Sequence, residues 1–130
     1  GKANLLREGT DLSIITYGIG VHWAAEFLDS NKEINADLLD LRTLLPFDGD
    51  AIIQTAKKTG RVIVLHEDTL VGGLASEISA FITENCFEYL DAPVVRSASL
   101  DTPVPFTSNL EWNFLPKNRF AQQVSELLDY

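Results

Sequence analysis

Two apolar periodicities alternate along the chain. Stretches of four to six residues rich in apolar or β-branched types recur at Ala3–Arg7, Leu12–Tyr17, Ala36–Leu41, Val62–Leu65 and Pro93–Arg96. Val62–Leu65 is an unbroken apolar run, which suits a strand buried on both faces, as in a parallel sheet covered by helices. Between them, apolar residues fall at helical spacing. Val21, Ala24, Ala25 and Leu28 share one face, as do Gly49, Ile52, Ile53 and Ala56, then Leu74, Ile78, Phe81 and Ile82. Phe120, Val124, Leu127 and Leu128 mark a last amphipathic helix over Asn118–Leu128. Asp48 is the expected cap of the second helix, with Lys57 and Lys58 at the negative end of its dipole and Gly60 as its stop. Ser97 to Pro116 reads as loop.

This order predicts right-handed βαβ units and a three-layer α/β/α sandwich on a mainly parallel five-stranded sheet. Only a tight turn at Glu8-Gly9 joins the first two strands. A hairpin-length link cannot join parallel neighbours, so the first strand is expected to be antiparallel, at an edge. The chain reads as one domain spanning 1–130, with no repeat or linker to divide it.

Charge narrows the partners. Ten basic and 19 acidic residues give a net charge of −9, which repels nucleic acid and anionic membranes. No apolar run approaches the ~20 residues of a membrane span. Gly1-Lys2-Ala3-Asn4 reads as neither a signal nor a transit peptide, and the chain has no Met, so a segment of something longer is expected. Cys86 has no cysteine partner within the chain and suits a reducing compartment.

The ligands of open parallel sheets gather outside the carboxyl ends of the strands. The fourth strand is expected to end at His66, so the segment from His66-Glu67-Asp68 to Gly72-Gly73 is the first place to seek function. Three adjacent residues leaving a strand point different ways and rarely converge on one metal or proton. They read better as a polar strand end that caps neighbours or meets a partner chain. Gly72-Gly73 precedes a helix, where backbone N–H groups could hold an anion or where glycine could permit close backbone approach. Gly18-x-Gly20 has the start of a dinucleotide fingerprint, but Trp23 stands at the third glycine position. Cys86 paired with His66 would make a nucleophile; at the end of an apolar helix face it is expected instead to pack as a small hydrophobe. Leu44-Leu45-Pro46-Phe47, flanked by Arg42 and Asp48, is an apolar strand end suited either to core or to another domain, as are Trp112 and Phe114.

The chain also resembles, from end to end, the C-terminal domain of the beta subunit of 2-oxoacid dehydrogenase decarboxylating components, a transketolase C-terminal-like domain. Gly1-Lys2-Ala3, Arg7-Glu8-Gly9-Thr10-Asp11, Leu39-Asp40-Leu41-Arg42-Thr43, Pro46-Phe47-Asp48, Lys58-Thr59-Gly60-Arg61 and His66-Glu67 carry the likeness. It continues through Gly72-Gly73, Glu77-Ile78, Ala92-Pro93-Val94-Val95-Arg96, Asp101-Thr102-Pro103-Val104-Pro105, Leu115-Pro116 and Tyr130. Ala75-Ser76-Glu77-Ile78 and Glu84-Asn85-Cys86-Phe87 are more similar to the branched-chain, 2-oxoisovalerate type than to the pyruvate type.

The resemblance implies a parent enzyme that uses thiamine diphosphate and Mg²⁺, held by other domains; no diphosphate-binding GDG…NN pattern occurs here. It implies no catalytic, cofactor or metal residue in this domain, which alone should be inactive. Its implied partners are a second beta subunit, an alpha subunit or alpha part, and the subunit-binding domain of the acyltransferase core. Arg42, Pro46, Phe47, Asp48, His66, Glu67, Asp68, Gly72 and Gly73 are the expected inter-subunit surface, and Tyr130 with its carboxylate the expected core contact. The setting would be bacterial cytoplasm or mitochondrial matrix. The same domain of a transketolase or a deoxyxylulose-phosphate synthase, and a free-standing nucleotide-binding α/β module, are the alternatives.

Overall fold

A computed structural model describes residues 1–101 and 114–130. Strands β1 (Asn4–Arg7), β2 (Leu12–Thr16), β3 (Ala36–Asp40), β4 (Val62–Thr69) and β5 (Val95–Ser99) form one sheet in the order β1-β3-β2-β4-β5. β1 lies at the edge, antiparallel to β3, and the other pairings are parallel. The tight turn after β1 is fixed by Asp37, whose carboxylate accepts the Gly9 N–H at 2.9 Å.

Helices α1 (Ile19–Ser30), α2 (Gly49–Thr59), α3 (Leu74–Cys86) and α4 (Lys117–Leu128) cover both faces. Alternate residues of each strand feed the two sides. Leu12, Ile14, Leu38, Ile63 and Leu65 pack with Ala24, Leu28, Phe120 and Val124 of α1 and α4. Ile15, Leu39, Val62 and Val64 pack with Ile52, Ala56, Ile78 and Ile82 of α2 and α3. Cys86 is 1% exposed within that second core, the packing role expected of it.

Two strands run past their expected ends. β4 continues through Glu67 and Asp68 to Thr69, where Thr69 pairs with Ser99 after an irregularity. β5 starts at Val95 and takes in Ser97, Ala98 and Ser99, which read as loop in the sequence. Hydrogen bonds rather than hydrophobicity carry these extensions. The Ser99 hydroxyl donates to the Glu67 carbonyl, and the Leu70 N–H donates to the Ser99 carbonyl at 3.1 Å. Apolar patterning marks only the buried part of a strand, so polar continuations escape it.

β2 occupies the centre of the sheet. Its loop leads to α1 on one face, whereas the loops after its neighbours β3 and β4 lead to α2 and α3 on the other. Diverging loops of this kind open a crevice at the carboxyl edge.

Candidate functional site at the carboxyl edge

That crevice is a cleft of about 570 Å³ lined by Tyr17, Leu44, Glu67, Asp68, Thr69, Phe114 and Leu115. Tyr17 is carried one residue beyond β2. Because Thr16 pairs with Leu65, the next residues along, Tyr17 and His66, are brought side by side. The Tyr17 hydroxyl and His66 Nδ1 are 2.9 Å apart, and the two rings meet edge-on at 5.9 Å and 70°.

His66 departs from the expected surface role: its side chain is fully buried. It follows Val64 on the sheet face packed by α2 and α3, and the start of α3 closes over it. Its Nε2 has no hydrogen-bond partner among the described residues. Burial chiefly holds the His66 pKa below its usual value; Arg96 adds to the effect and Asp68 opposes it. Burial also raises the Tyr17 pKa, reinforced by Asp68 and Glu67.

Gly73 is explained by the same ring. A Cβ there would collide with the Thr69 carbonyl oxygen and lie 2.7 Å from His66 Cε1. Close approach is therefore the reading of Gly72-Gly73 that the geometry favours. Gly72 itself takes φ 79°, the left-handed region, with open space around it. Gly20 is similar: a Cβ would run into the Thr16 hydroxyl and sit 3.2 Å from the Leu65 carbonyl oxygen. The Gly18-x-Gly20 turn thus has a packing reason, with Gly18 at φ 60°.

The Arg42–Asp48 stretch divides. Phe47 turns inward and meets Phe81 edge-on at 5.2 Å. Asp48 caps α2, accepting the Ala51 N–H at 3.2 Å, while its other oxygen accepts the Ala3 N–H at 2.9 Å. These two residues have work inside the chain. Arg42, Leu45 and Pro46 face outward. Arg42 takes φ 61°, and its N–H donates to the Asp40 carboxylate at 3.0 Å. Glu67 and Asp68 are exposed on the far side of β2.

Sequence reasoning missed a pattern in the aliphatic residues. Ile19 (41% exposed), Leu45 (88%), Val71 (73%) and Leu100 (44%) each follow a different parallel strand, so all four stand at the carboxyl edge. Single exposed aliphatics are ordinary; here four of them share one end of the sheet. The signal was available in the sequence, one apolar residue beyond each strand, but only once the strand ends were known. Phe114 is buried at 5% exposure, and Trp112 lies outside the described residues. Tyr130, 72% exposed, stands apart from this edge, beside a groove of about 240 Å³ formed with Pro93, Val95, Gln123, Glu126 and Leu127.

Among the described residues, the loops of the carboxyl edge carry Arg42 on one side of β2 and Glu67, Asp68 and Asp101 on the other, and Arg96 is committed to the Leu70 carbonyl at 3.0 Å and the Ser76 hydroxyl at 2.8 Å. No cluster of three metal-ligating side chains occurs among the described residues, and no described helix is long and apolar enough to cross a membrane.

Comparison with known proteins agrees with the fold and the motif series. The profile described as "Transketolase, C-terminal domain" matches residues 1–119. The chain is 45% identical over 119 residues to the 2-oxoisovalerate dehydrogenase subunit beta of Bacillus subtilis, covering 88% of this chain and 36% of that protein. It is equally 45% identical over 121 residues to the pyruvate dehydrogenase E1 component subunit beta of the same organism, covering 92% of this chain and 37% of that one. The mitochondrial 2-oxoisovalerate dehydrogenase subunit beta of Dictyostelium discoideum is 42% identical over 108 residues, 81% of this chain and 29% of that protein. Among solved structures, a split-gene transketolase, described as an inactive beta4 tetramer, superposes with a TM-score of 0.81 at 26% identity, over 98% of this chain and 41% of that one. The chain thus spans 29–41% of the length of these relatives, and it belongs to the transketolase C-terminal domain family.

Proposed function

We propose that this chain is the assembly domain of the beta part of a thiamine-dependent 2-oxoacid dehydrogenase decarboxylating component, and that its carboxyl edge meets sister subunits. The observation that carries this reading is the set of aliphatic residues at that edge, on a domain whose relatives are beta subunits. The parent reaction would be oxidative decarboxylation of a 2-oxoacid with acyl transfer to a lipoyl group. Thiamine diphosphate and Mg²⁺ would be held by other domains; the exposed carboxylates of Glu67 and Asp68 at this edge would repel a diphosphate. Glu67, Asp68, Arg42, Leu45 and Pro46 are the surface residues of the contact. His66, Gly73, Phe47 and Asp48 shape it from beneath.

Tyr130 and its neighbouring groove are proposed to meet the subunit-binding domain of the acyltransferase core, and an alpha subunit or fused alpha part completes the assembly. The branched-chain type is preferred on Ala75-Ser76-Glu77-Ile78 and Glu84-Asn85-Cys86-Phe87, although identity to the two Bacillus subtilis relatives is equal. A dehydrogenase is preferred over a transketolase because identity is higher to the former, 45% against 26%. The proposed setting is bacterial cytoplasm or mitochondrial matrix.

Isothermal titration of the chain with thiamine diphosphate and Mg²⁺ is expected to give no heat of binding. Saturable binding at micromolar affinity, about −8 kcal/mol, would place the cofactor in this domain and refute the reading.

A further inference from the structure

Between the edge strand β1 and α2 lies a cavity of about 370 Å³, a volume typical of small-molecule sites. Leu5 pairs with Leu39 across the β1–β3 ladder, so both side chains stand on the sheet face packed by α2. Ala51, Thr55 and Lys58 follow one another at helical spacing along the facing side of α2. The cavity is amphipathic along its length. Ala3, Leu5, Leu39 and Ala51 line one end, and Glu8, Asp37, Thr55 and Lys58 line the other. At the α-helical rise, Ala51 and Lys58 are about 10 Å apart.

The polar end is built around Asp37, which is 1% exposed. One of its carboxylate oxygens accepts the Gly9 N–H at 2.9 Å and the Lys58 ammonium at 2.6 Å, and the other accepts the Thr55 hydroxyl at 2.5 Å. Thr55 Oγ1 lies in turn 2.6 Å from Ser13 Oγ in β2. A buried carboxylate is costly unless it is hydrogen-bonded, and here the network ties β2, β3, α2 and the β1–β2 turn together. Because Gly9 and Lys58 share an oxygen, Glu8 and Lys58 are drawn to the same end of the cavity. Asp37 takes only one of the three donors of the Lys58 ammonium. Glu8 is exposed and makes no ion pair within 4 Å among the described residues. The cavity thus offers a fixed cation with donors to spare, an uncommitted carboxylate and an apolar wall. Glu8 repels a plain carboxylate and Lys58 a plain amine, whereas a molecule with both charges close together satisfies both.

We propose that this cavity binds a small aliphatic α-amino acid, with its carboxylate on Lys58, its ammonium on Glu8 and its side chain against Leu5, Leu39 and Ala51. Leu5, 40% exposed, gains cover from such a side chain. The bonds around Asp37 hold Lys58 in place before the ligand arrives, which lowers the cost of binding. The bound molecule bridges the β1–β2 turn and α2, so occupancy stabilises the chain by mass action. The charged end of the cavity lies at the amino edge of the parallel strands, and the proposal is independent of the assembly reading.

The probe is L-leucine, titrated into the isotopically labelled chain and followed by amide chemical shifts. Saturable shifts at Glu8, Gly9, Thr55 and Lys58 are expected, with a Kd of about 1 mM or tighter. Isopentylamine lacks the carboxylate and isocaproate lacks the ammonium, and each is expected to bind roughly tenfold or more weakly. Glu8→Gln, at an exposed side chain, is expected to weaken leucine by about the same factor and to leave isocaproate no weaker than before. Ala51→Leu fills the apolar end and is expected to abolish leucine binding. Leu5→Asp, at an exposed position of the edge strand, makes the same test without touching α2. Unchanged amide shifts away from the cavity confirm that each variant keeps its fold. Equal binding of leucine and either analogue, or leucine binding unaltered by Glu8→Gln or by Leu5→Asp, would overturn the proposal. So would an unchanged spectrum at roughly fifty times that leucine concentration, a result that leaves the assembly reading untouched.

Discussion

Within β4, the space left by Gly73 admits a histidine ring where a surface side chain would be expected. His66 sits under the start of α3 with Tyr17 on Nδ1, and its burial makes the neutral ring the native form. The consequence for stability has a definite sign. The folded pKa is lowered, so the unfolded chain binds the proton more readily. Stability is fully present above the unfolded value near 6.5 and is lost as pH falls below it toward the folded value. The melting temperature is therefore expected to drop between about pH 7 and pH 5, and less so in His66→Gln. Parallel pH profiles for the two proteins would contradict this account of the ring. Nothing in His66-Glu67-Asp68 announces that the first of the three is core and the other two surface. Strand alternation alone would put Asp68 on the same face as His66; the difference comes from Gly73, which lets the start of α3 close over the ring, and from Tyr17, which lies 49 residues away in sequence and meets His66 only through the β2–β4 register.

The helices are legible from their apolar faces, and α2 also from its ends. Asp48, the Lys57-Lys58 pair and Gly60 at φ 72° start and stop α2 as expected. The caps and the dipole account for those positions without tertiary help. Strand lengths are less legible, since β4 and β5 are extended by a Thr69–Ser99 pairing between polar residues. The Arg42–Asp48 stretch, which the sequence leaves open between core and contact surface, is divided by Asp48, which holds both α2 and the Ala3 N–H ahead of β1. Hydrogen bonds from those two N–H groups lower the Asp48 pKa, that from Ala3 first. Removing this carboxylate thus loosens two elements at once. Asp48→Ala is expected to cost about 1–2 kcal/mol in urea unfolding, the range of a strong N-cap. A loss below about 0.5 kcal/mol would show that the cap is redundant.

For the whole molecule, the α/β/α layering, the mainly parallel sheet and the antiparallel edge strand follow from the alternation of periods and the short β1–β2 link. The position of the proposed contact surface follows from sheet topology, because the carboxyl edge is where the loops diverge. Its composition does not: the four aliphatic residues there are scattered from Ile19 to Leu100 in sequence and become a group only when the strands are aligned. Standard protein interfaces bury about 800 Å² per partner, and one edge of a domain with 7210 Å² of surface can supply that. The most direct test is sedimentation velocity of the chain over a hundredfold range of concentration, alongside Leu45→Ser/Val71→Ser. The account predicts a mass that rises with concentration in the wild type and less, or not at all, in the double variant. A wild-type mass fixed at that of one chain throughout, or association unchanged by the double substitution, would contradict it.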